Sequence, residues 1–218
     1  MSFDALAPHY RWMEFFLAGE KLQRCRTAFL PQLPAKKRIL ILGEGNGRFL
    51  AECRRQFPEA QITVVDASAR MLELARARLA GQGGVDRGTD FVCADALEWM
   101  PPTGGFDLIV THFFLDCFRA DQLEKLLASL ARAAAPGADW LLADFQEASA
   151  GWRRVRSRLI LWVMYRFFTF VTRLPAHELT PPDALIQRHG FQLRERTLRD
   201  WGLLHTDWWS RSPRFVLD

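Results

Sequence analysis

Short apolar runs alternate with helical patterns through the middle of the chain. The first run, residues 38–42, ends at Gly43 and is followed by a helical stretch that stops at Pro58. The pattern predicts further strands at residues 61–66, 90–94, 106–111 and 139–145, and helices at residues 68–80, directly after residue 95, and at 119–134. Neighbouring parallel strands require helical crossovers, which are right-handed. The predicted fold class is therefore α/β, a doubly wound, Rossmann-like, mainly parallel sheet covered on both faces.

The two ends of the chain depart from this alternation. Residues 3–30 are predicted to form an N-terminal helical segment, with apolar positions at Trp12, Phe15, Phe16 and Leu22. Residues 151–173 predict a long arginine-rich helix that is interpreted as an insertion, because no strand follows it directly. A helix at 182–189 and strands at 191–198 and 203–209 then complete a seven-stranded sheet with an antiparallel C-terminal hairpin. We expect one domain over 1–218, divided into a helical segment (1–36), a core (37–150), an inserted helix (151–180) and a C-terminal part (181–218).

Composition and charge narrow the function classes. The chain has 218 residues, of which 49% are hydrophobic and 25% charged, and this excludes a wholly disordered or coiled-coil protein. Residues 1–150 hold 17 basic and 19 acidic side chains, whereas residues 151–218 hold 12 and 6. The basic excess therefore belongs to one segment and does not indicate nucleic acid as a general partner. Four scattered cysteines without metal-ligand spacing predict reduced thiols and no metal site. Asp4 lies where a secretory signal would be basic, so a cytoplasmic location is expected.

A glycine-rich turn, Gly43-Glu-Gly-Asn-Gly47, follows the first strand. Glycines there let the backbone approach a ligand at the carboxyl ends of the strands. The dinucleotide pattern G-x-G-x-x-G fails, because Arg48 occupies the place of the third glycine. Asp66 and Asp95 follow the next two strands. Each could bind a ligand or cap the helix after it, and this alternative stays open for either acid taken alone.

Taken in order, these segments resemble the motifs of the class I S-adenosylmethionine-dependent methyltransferases over about residues 38–210. The matching segments are Ile39-Leu-Ile-Leu-Gly-Glu-Gly-Asn-Gly47, Ile62-Thr-Val-Val-Asp-Ala-Ser68, Phe91-Val-Cys-Ala-Asp95 and Phe106-Asp-Leu-Ile-Val110. The pattern Asp-x-Ser-x-x-Met-Leu at residues 66–72 is similar to the small-molecule branch that includes the ubiquinone/menaquinone-type enzymes. The resemblance implies S-adenosyl-L-methionine as cofactor.

The resemblance also implies cofactor contacts. Asp66 would accept the ribose hydroxyls, Asp95 would accept the adenine amino group, and Met71 would pack on the adenine ring. The full implied set is Tyr10, Gly43, Glu44, Gly45, Asn46, Gly47, Asp66, Ala67, Met71, Asp95, Ala96 and Thr111. Tyr10 resembles an N-terminal tyrosine that closes over the cofactor, with a core aromatic as the alternative. Ile41 stands where the family usually has an acid, and Glu44 is the candidate substitute, with an exposed loop acid as its alternative.

The acceptor side is expected after the fourth strand. His112 is the candidate general base, with a packing role as the alternative. Asp116 is expected to orient His112 or the acceptor, or to cap the next helix. Phe114, Met164 and Phe167 are candidate substrate-binding residues.

The inserted helix has an arginine stripe and a broad apolar face that includes Leu159 and Val163. It is interpreted as a lid over a lipophilic acceptor. The alternatives are contact of its arginines with anionic lipid at the inner membrane surface, a core helix, or a homodimer contact.

These observations predict a methyltransferase that acts on a small, hydrophobic acceptor. Nucleic acid is not expected as the substrate, because residues 111–115 lack the Asn/Asp-Pro-Pro-aromatic pattern of amino-methylating DNA enzymes and Cys117 lacks a preceding proline. A non-catalytic S-adenosylmethionine-binding or scaffolding protein remains the alternative because of Ile41.

Overall fold

A seven-stranded mixed sheet with helices on both faces forms the protein. The computed structural model describes residues 19–81, 88–172 and 180–212. The strands are β1 (Arg38–Leu42), β2 (Gln61–Asp66), β3 (Thr89–Cys93), β4 (Phe106–His112), β5 (Ala134–Phe145), β6 (Phe191–Arg199) and β7 (Leu204–Arg211). The helices are α1 (Gly19–Arg26), α2 (Arg48–Gln56), α3 (Ala69–Gly81), α4 (Ala120–Ala133), α5 (Gly151–Thr172) and α6 (Asp183–Arg188).

The strand order is β3-β2-β1-β4-β5-β7-β6. Strands β1 to β5 pair in parallel, and β7 runs antiparallel between β5 and β6. Strands β2 and β3 lie on one side of β1, and β4 and β5 lie on the other. The direction in which successive strands are added to the sheet therefore reverses at β1. Ligands of open α/β sheets bind at such a point. The predicted doubly wound fold with its antiparallel C-terminal hairpin is confirmed.

The core lies in two apolar layers, one on each face of the sheet. Side chains alternate along β1, so that Leu40 and Leu42 join the layer under α4, whereas Ile39 and Ile41 join the layer under α2 and α3. Both layers are fully buried, which explains why the central strands are apolar throughout rather than alternating.

Two predicted helices differ in the structure. The segment after β3 forms a single turn, in which the Trp99 amide donates to the Asp95 carbonyl, and not a helix. Pro101 and Pro102 lack amide hydrogens and therefore prevent the turn from continuing. At the N-terminal side, helix α1 ends at Arg26 and a 3₁₀ turn follows at Leu30–Gln32. Trp12, Phe15 and Phe16 lie outside the described residues.

Helix α5 buries a narrower strip than its broad apolar face suggested. Ser157, Leu161 and Met164 are buried, whereas Leu159 is 60% and Val163 is 54% exposed. The periodicity shows that the helix is amphipathic but not which part of its wide apolar arc meets the sheet. Among the described residues, no helix is both long and apolar enough to cross a membrane.

Candidate functional site

A cavity of about 210 Å³ opens at the carboxyl ends of the parallel strands. Each of the four strands β1 to β4 contributes the residues that directly follow or end it. The lining consists of Gly43, Gly45, Val65, Asp66, Ala67, Ser68, Met71, Ala94, Asp95, Ala96, Leu97, Phe113, Phe114, Cys117, Phe118 and Gln122. The lining therefore combines two carboxylates with three phenylalanine rings.

The glycine loop approaches this cavity through backbone conformations that favour glycine. Gly43, Gly45 and Gly47 have φ angles of 63°, 70° and 83°. A Cβ atom at Gly43 would lie 2.3 Å from Cδ2 of Phe114, and a Cβ at Gly47 would lie 2.6 Å from Cα of Ala75 in α3. Gly43 thus makes room for an aromatic wall of the cavity, and Gly47 lets the loop pack against the backbone of a helix.

Asp66 links the glycine loop to the start of α3. Its Oδ1 accepts a hydrogen bond from the Ser68 amide at 2.9 Å, and its Oδ2 accepts one from the Gly45 amide at 3.3 Å. The carboxylate is half-buried and lines the cavity. Backbone amides therefore hold this carboxylate in place at the wall of the cavity.

The second carboxylate, Asp95, shares the cavity with several apolar side chains. Asp95 is exposed, and its Oδ1 accepts a hydrogen bond from the Leu97 amide at 2.9 Å. Met71 is buried, and the rings of Phe114 and Phe118 pack edge to face with centroids 5.1 Å apart. A planar heteroaromatic group with a polar edge matches these surroundings, because its faces meet apolar side chains and its edge meets a carboxylate.

Comparison with known proteins finds similar methyltransferases. A family model described as a methyltransferase domain matches residues 39–137. The ubiquinone/menaquinone biosynthesis C-methyltransferase UbiE of Desulfotalea psychrophila is 31% identical over 137 residues, which are 62% of this chain and 53% of that protein. The demethylmenaquinone methyltransferase of Deinococcus radiodurans is 28% identical over 211 residues, which are 90% of this chain and 86% of that protein.

The fold agrees with these relatives. An S-adenosylmethionine-dependent methyltransferase from Mesorhizobium loti has a similar structure, with a TM-score of 0.66 and 18% identity, over 87% of this chain and 100% of that one. These similarities support a class I S-adenosylmethionine-dependent methyltransferase. The cofactor of this class is S-adenosylmethionine. The match spans about half the length of the UbiE relative.

The cavity at the strand ends collects most of the predicted cofactor residues. Gly43, Gly45, Asp66, Ala67, Met71, Asp95 and Ala96 line it, together with the predicted substrate residue Phe114. Asn46 and Gly47 belong to the loop but not to the lining. Thr111 is fully buried in β4, where its Oγ1 accepts a hydrogen bond from Trp140 Nε1 at 2.9 Å, so its side chain packs inside the sheet layer. Tyr10 lies outside the described residues.

Glu44 is buried, so the alternative of an exposed loop acid is wrong. Its Oε1 accepts hydrogen bonds from the amides of Phe49 and Leu50, at 3.0 and 2.9 Å. These amides lie in the first turn of α2, where they have no partner within the helix. Burial raises the pKa of Glu44 to about 7, although these hydrogen bonds oppose the shift. The Glu44 side chain thus joins the glycine loop to the start of α2 and does not line the cavity.

His112 does not have the surroundings of a general base. The side chain is buried, and its ring packs edge to face on Phe49, with centroids 4.7 Å apart. Neither ring nitrogen makes a hydrogen bond of good geometry among the described residues, although the backbone of Arg26 is close enough to oppose part of the lowering of the His112 pKa. Burial lowers the pKa of His112 to about 3, so the ring is neutral and weakly basic near pH 7. The packing alternative describes this placement, and Asp116 does not orient the ring.

Asp116 faces a second cavity, of about 560 Å³, together with Asp144, Arg196 and His205. Burial raises the pKa of Asp116 to about 6, and burial beside Asp116 raises the pKa of Asp144 well above its usual range. Asp116 Oδ1 accepts a hydrogen bond from Cys117 Sγ at 3.5 Å. It does not cap α4, because the helix begins after Arg119, whose amide donates to Gln122 Oε1. The turn Leu115–Cys117 therefore separates the two cavities.

Two residues near the cavity were not predicted from the sequence. Phe113 directly follows β4 with a φ of 54°, a left-handed conformation that is uncommon outside glycine, and its ring lines the cavity. The guanidinium of Arg26, a buried side chain, lies 5.3 Å from the centroid of that ring. Neither feature has a local sequence signal, because both depend on how α1 packs against the ends of β4 and β5.

Met164 belongs to an apolar cluster beside this wall. The cluster includes Leu22, Phe145, Leu161 and Leu204, and Phe113 and Cys117 pack against it. Helix α5 therefore lies next to the cavity wall, although Met164 itself is not part of the lining. Phe167 lies in the last turns of α5, and its side chain is outside the described residues.

Proposed function

We propose that the protein transfers a methyl group from S-adenosylmethionine to a small, lipophilic acceptor. The observation that carries this proposal is the single cavity at the ends of β1 to β4, which combines Asp66 and Asp95 with a glycine loop and an apolar wall. Asp66 would bind the ribose hydroxyls, and Asp95, with the backbone at Ala96, would bind the edge of the adenine ring. Met71 and Phe114 would enclose its faces.

The acceptor is proposed to lie between the phenylalanine wall and the inner strip of α5. Methyl transfer from a sulfonium is an in-line displacement, so the protein must align the acceptor and exclude water. The rings of Phe113 and Phe145, with centroids 5.3 Å apart, provide an apolar surface for this purpose. The names of the two relatives concern quinone biosynthesis, and this supports a quinone-type acceptor. If the acceptor must lose a proton, His112 is a poor candidate for the base, because burial lowers its pKa to about 3.

Cofactor binding is tested by Asp66→Asn, measured by titration calorimetry with S-adenosylhomocysteine. We expect affinity to fall tens-fold, because hydrogen bonds to a charged group contribute about 1.5–3 kcal/mol each. The 2′,3′-dideoxy analogue of the ligand should bind weakly to both proteins, because it has no hydroxyls for Asp66 to accept. Asp90→Asn, at an exposed position of β3, is the matched control. Equal loss of affinity for both ligands would contradict the ribose assignment.

Catalysis is tested by formation of S-adenosylhomocysteine with two sets of acceptors. We expect turnover with short-chain quinols and none with small carboxylic acids. Binding of S-adenosylmethionine without turnover would instead favour the non-catalytic alternative. That alternative depends on Ile41, which is buried in the sheet. It occupies the position at which the resembled family usually has a carboxylate. Once an acceptor has been identified, Met164→Ala should raise the KM for that acceptor with little change in cofactor affinity.

A further inference from the structure

The outer face of α5 exposes an unusual number of large apolar side chains. We define this face by Trp152, Val155, Leu159, Trp162 and Val163. Their side chains are all more than half exposed, and Trp162 is 61% exposed. Contiguous exposed apolar surface of this kind marks an interaction site in most proteins.

These residues are not needed to hold α5 on the protein. The opposite strip of the helix already supplies the packing, through Leu161 and Met164 in the apolar cluster. The Ala148 amide donates to Ser157 Oγ at 3.0 Å, and Arg156 pairs with Asp200 at 3.2 Å. Most of the outer face therefore does not attach the helix, and the contact of Trp152 with Trp201 is the exception described below.

The charge on the same helix is uniformly basic. Arginines occur at positions 153, 154, 156, 158 and 166, and α5 contains no acidic residue. Arg154 and Arg158 share one carboxylate, Glu147, at 3.7 and 3.8 Å. The guanidinium groups of Arg153 and Arg166 instead lie over exposed tryptophan rings, Trp201 at 5.3 Å and Trp162 at 6.0 Å. Cationic and aromatic groups are thus interleaved at the surface.

Trp201 extends this surface beyond the helix. It lies in the turn between β6 and β7, with φ 60° and ψ 27°, and its side chain is 57% exposed. Its ring centroid is 5.7 Å from that of Trp152. A bulky residue rarely adopts this left-handed conformation, so the turn presents an indole to solvent at a conformational cost.

We propose that the outer face of α5, with Trp201, docks on an anionic phospholipid surface. Indole rings favour the headgroup level of a bilayer, and arginines on an amphipathic helix bind anionic lipid. A symmetric dimer through this face fits less well, because a two-fold contact would place the same arginines of two copies opposite each other. The docking does not depend on the proposed methyl transfer, although it would place the apolar cluster near a source of lipophilic molecules.

Vesicle flotation tests this directly. The full chain is mixed with vesicles of phosphatidylcholine alone or with about one-third phosphatidylglycerol, at low and at high NaCl. We expect binding only to the anionic vesicles, and weaker binding as salt rises. Quenching of tryptophan fluorescence by brominated lipid should accompany the binding, and should fall sharply in the Trp152→Phe/Trp162→Phe variant.

Paired substitutions distinguish a specific role of the outer face from an effect of the total charge of the protein. Arg153→Gln/Arg166→Gln should weaken binding about 25-fold, from about fivefold for each basic residue near a charged membrane. The control Arg55→Gln/Arg188→Gln removes the same charge from exposed positions on α2 and α6 and should change binding little. Trp201→Gly should weaken binding while the protein remains as heat-stable as the original, because glycine suits the left-handed backbone.

Three results would overturn the proposal. The first is no binding to anionic vesicles at low salt, and the second is equal loss of binding in both arginine pairs. The third is a dimer in sedimentation experiments that Trp162→Ser dissociates, because a second copy of the chain would then cover the face.

Discussion

Gly47 is a single residue at which backbone conformation and packing act together. Its φ of 83° alone would make alanine unfavourable, by about 1–2 kcal/mol for a left-handed L-residue. The added Cβ would also lie 2.6 Å from the Cα of Ala75, and a helix backbone cannot move aside as a flexible side chain can. The glycine therefore holds the loop against α3 as well as shaping its turn.

Gly47→Ala should lower the free energy of unfolding by about 3 kcal/mol or more, since overpacking adds about 1–3 kcal/mol to the conformational cost. Gly104→Ala is the matched control, because Gly104 has φ 62° and no atom within 4 Å of an added Cβ. We expect that control to lose only about 1–2 kcal/mol, the conformational cost alone. Denaturant unfolding of both variants measures the difference, and equal losses would contradict the contact with Ala75.

Single residues were also the hardest to place from the sequence. The motif order placed Asp66 and Asp95 at neighbouring strand ends, because parallel strands bring their carboxyl ends to one edge. The same reasoning missed the burial of Glu44 and left the role of His112 open between a general base and packing. Whether a loop acid turns outward or caps the helix below it depends on the three-dimensional path of the loop. His112 follows Thr111 along β4, and a sequence alone does not tell which layers cover the end of a strand.

At the scale of elements, the strands were more predictable than the helices. The bounds of β1 and β2 agree with the prediction, since a buried parallel strand appears as a compact apolar run between turn residues. The face of α5 was not predictable in the same way. Its apolar residues span most of the helix circumference, so only the position of the sheet and of α1 decides which of them are buried.

A buried ion pair joins elements that are distant in the chain. Lys36, just before β1, donates from Nζ to Asp139 Oδ2 in β5 at 2.6 Å, and both side chains are almost completely buried. The indole Nε1 of Trp208 in β7 donates to the other carboxylate oxygen at 2.8 Å. The carboxylate of Asp139 therefore has a partner from each side of β5.

Lys36→Met should lower the free energy of unfolding by about 3–5 kcal/mol, because it leaves a buried carboxylate without its cation. Adding Asp139→Asn to the same chain should recover part of that loss, since a neutral amide can still accept from Trp208 and carries no charge to desolvate. Denaturant unfolding of the single and double variants gives the coupling between the two sites. If the losses of unfolding free energy from the two substitutions simply add in the double variant, the ion pair makes no specific contribution to stability.

At the scale of the whole molecule, buried ionisable groups control how stability depends on pH. Burial raises the pKa of Glu44 to about 7 and that of Asp116 to about 6, and Asp144 is also raised. In each case the folded protein binds a proton that the unfolded chain has released, so these groups lower stability as pH rises above their ordinary values. His112, with its pKa lowered to about 3, acts in the opposite direction between pH 3 and 6.5. Above pH 6.5 the contribution of His112 no longer changes.

Glu44 should therefore make the free energy of unfolding decline mainly between pH 4.5 and 7, and Glu44→Gln should remove that part of the decline. The amide can accept the same hydrogen bonds from Phe49 and Leu50 but cannot ionise. Relative to the original chain, the variant should gain up to about 3 kcal/mol at pH 8, from a pKa raised from 4.5 to about 7, and almost nothing near pH 4.5. Denaturant unfolding across this pH range measures it, with the exposed Glu73→Gln as control. The outcome against this prediction is a difference in the free energy of unfolding between Glu44→Gln and the original chain that is the same at every pH. Glu44 would then be ionised within the fold at neutral pH.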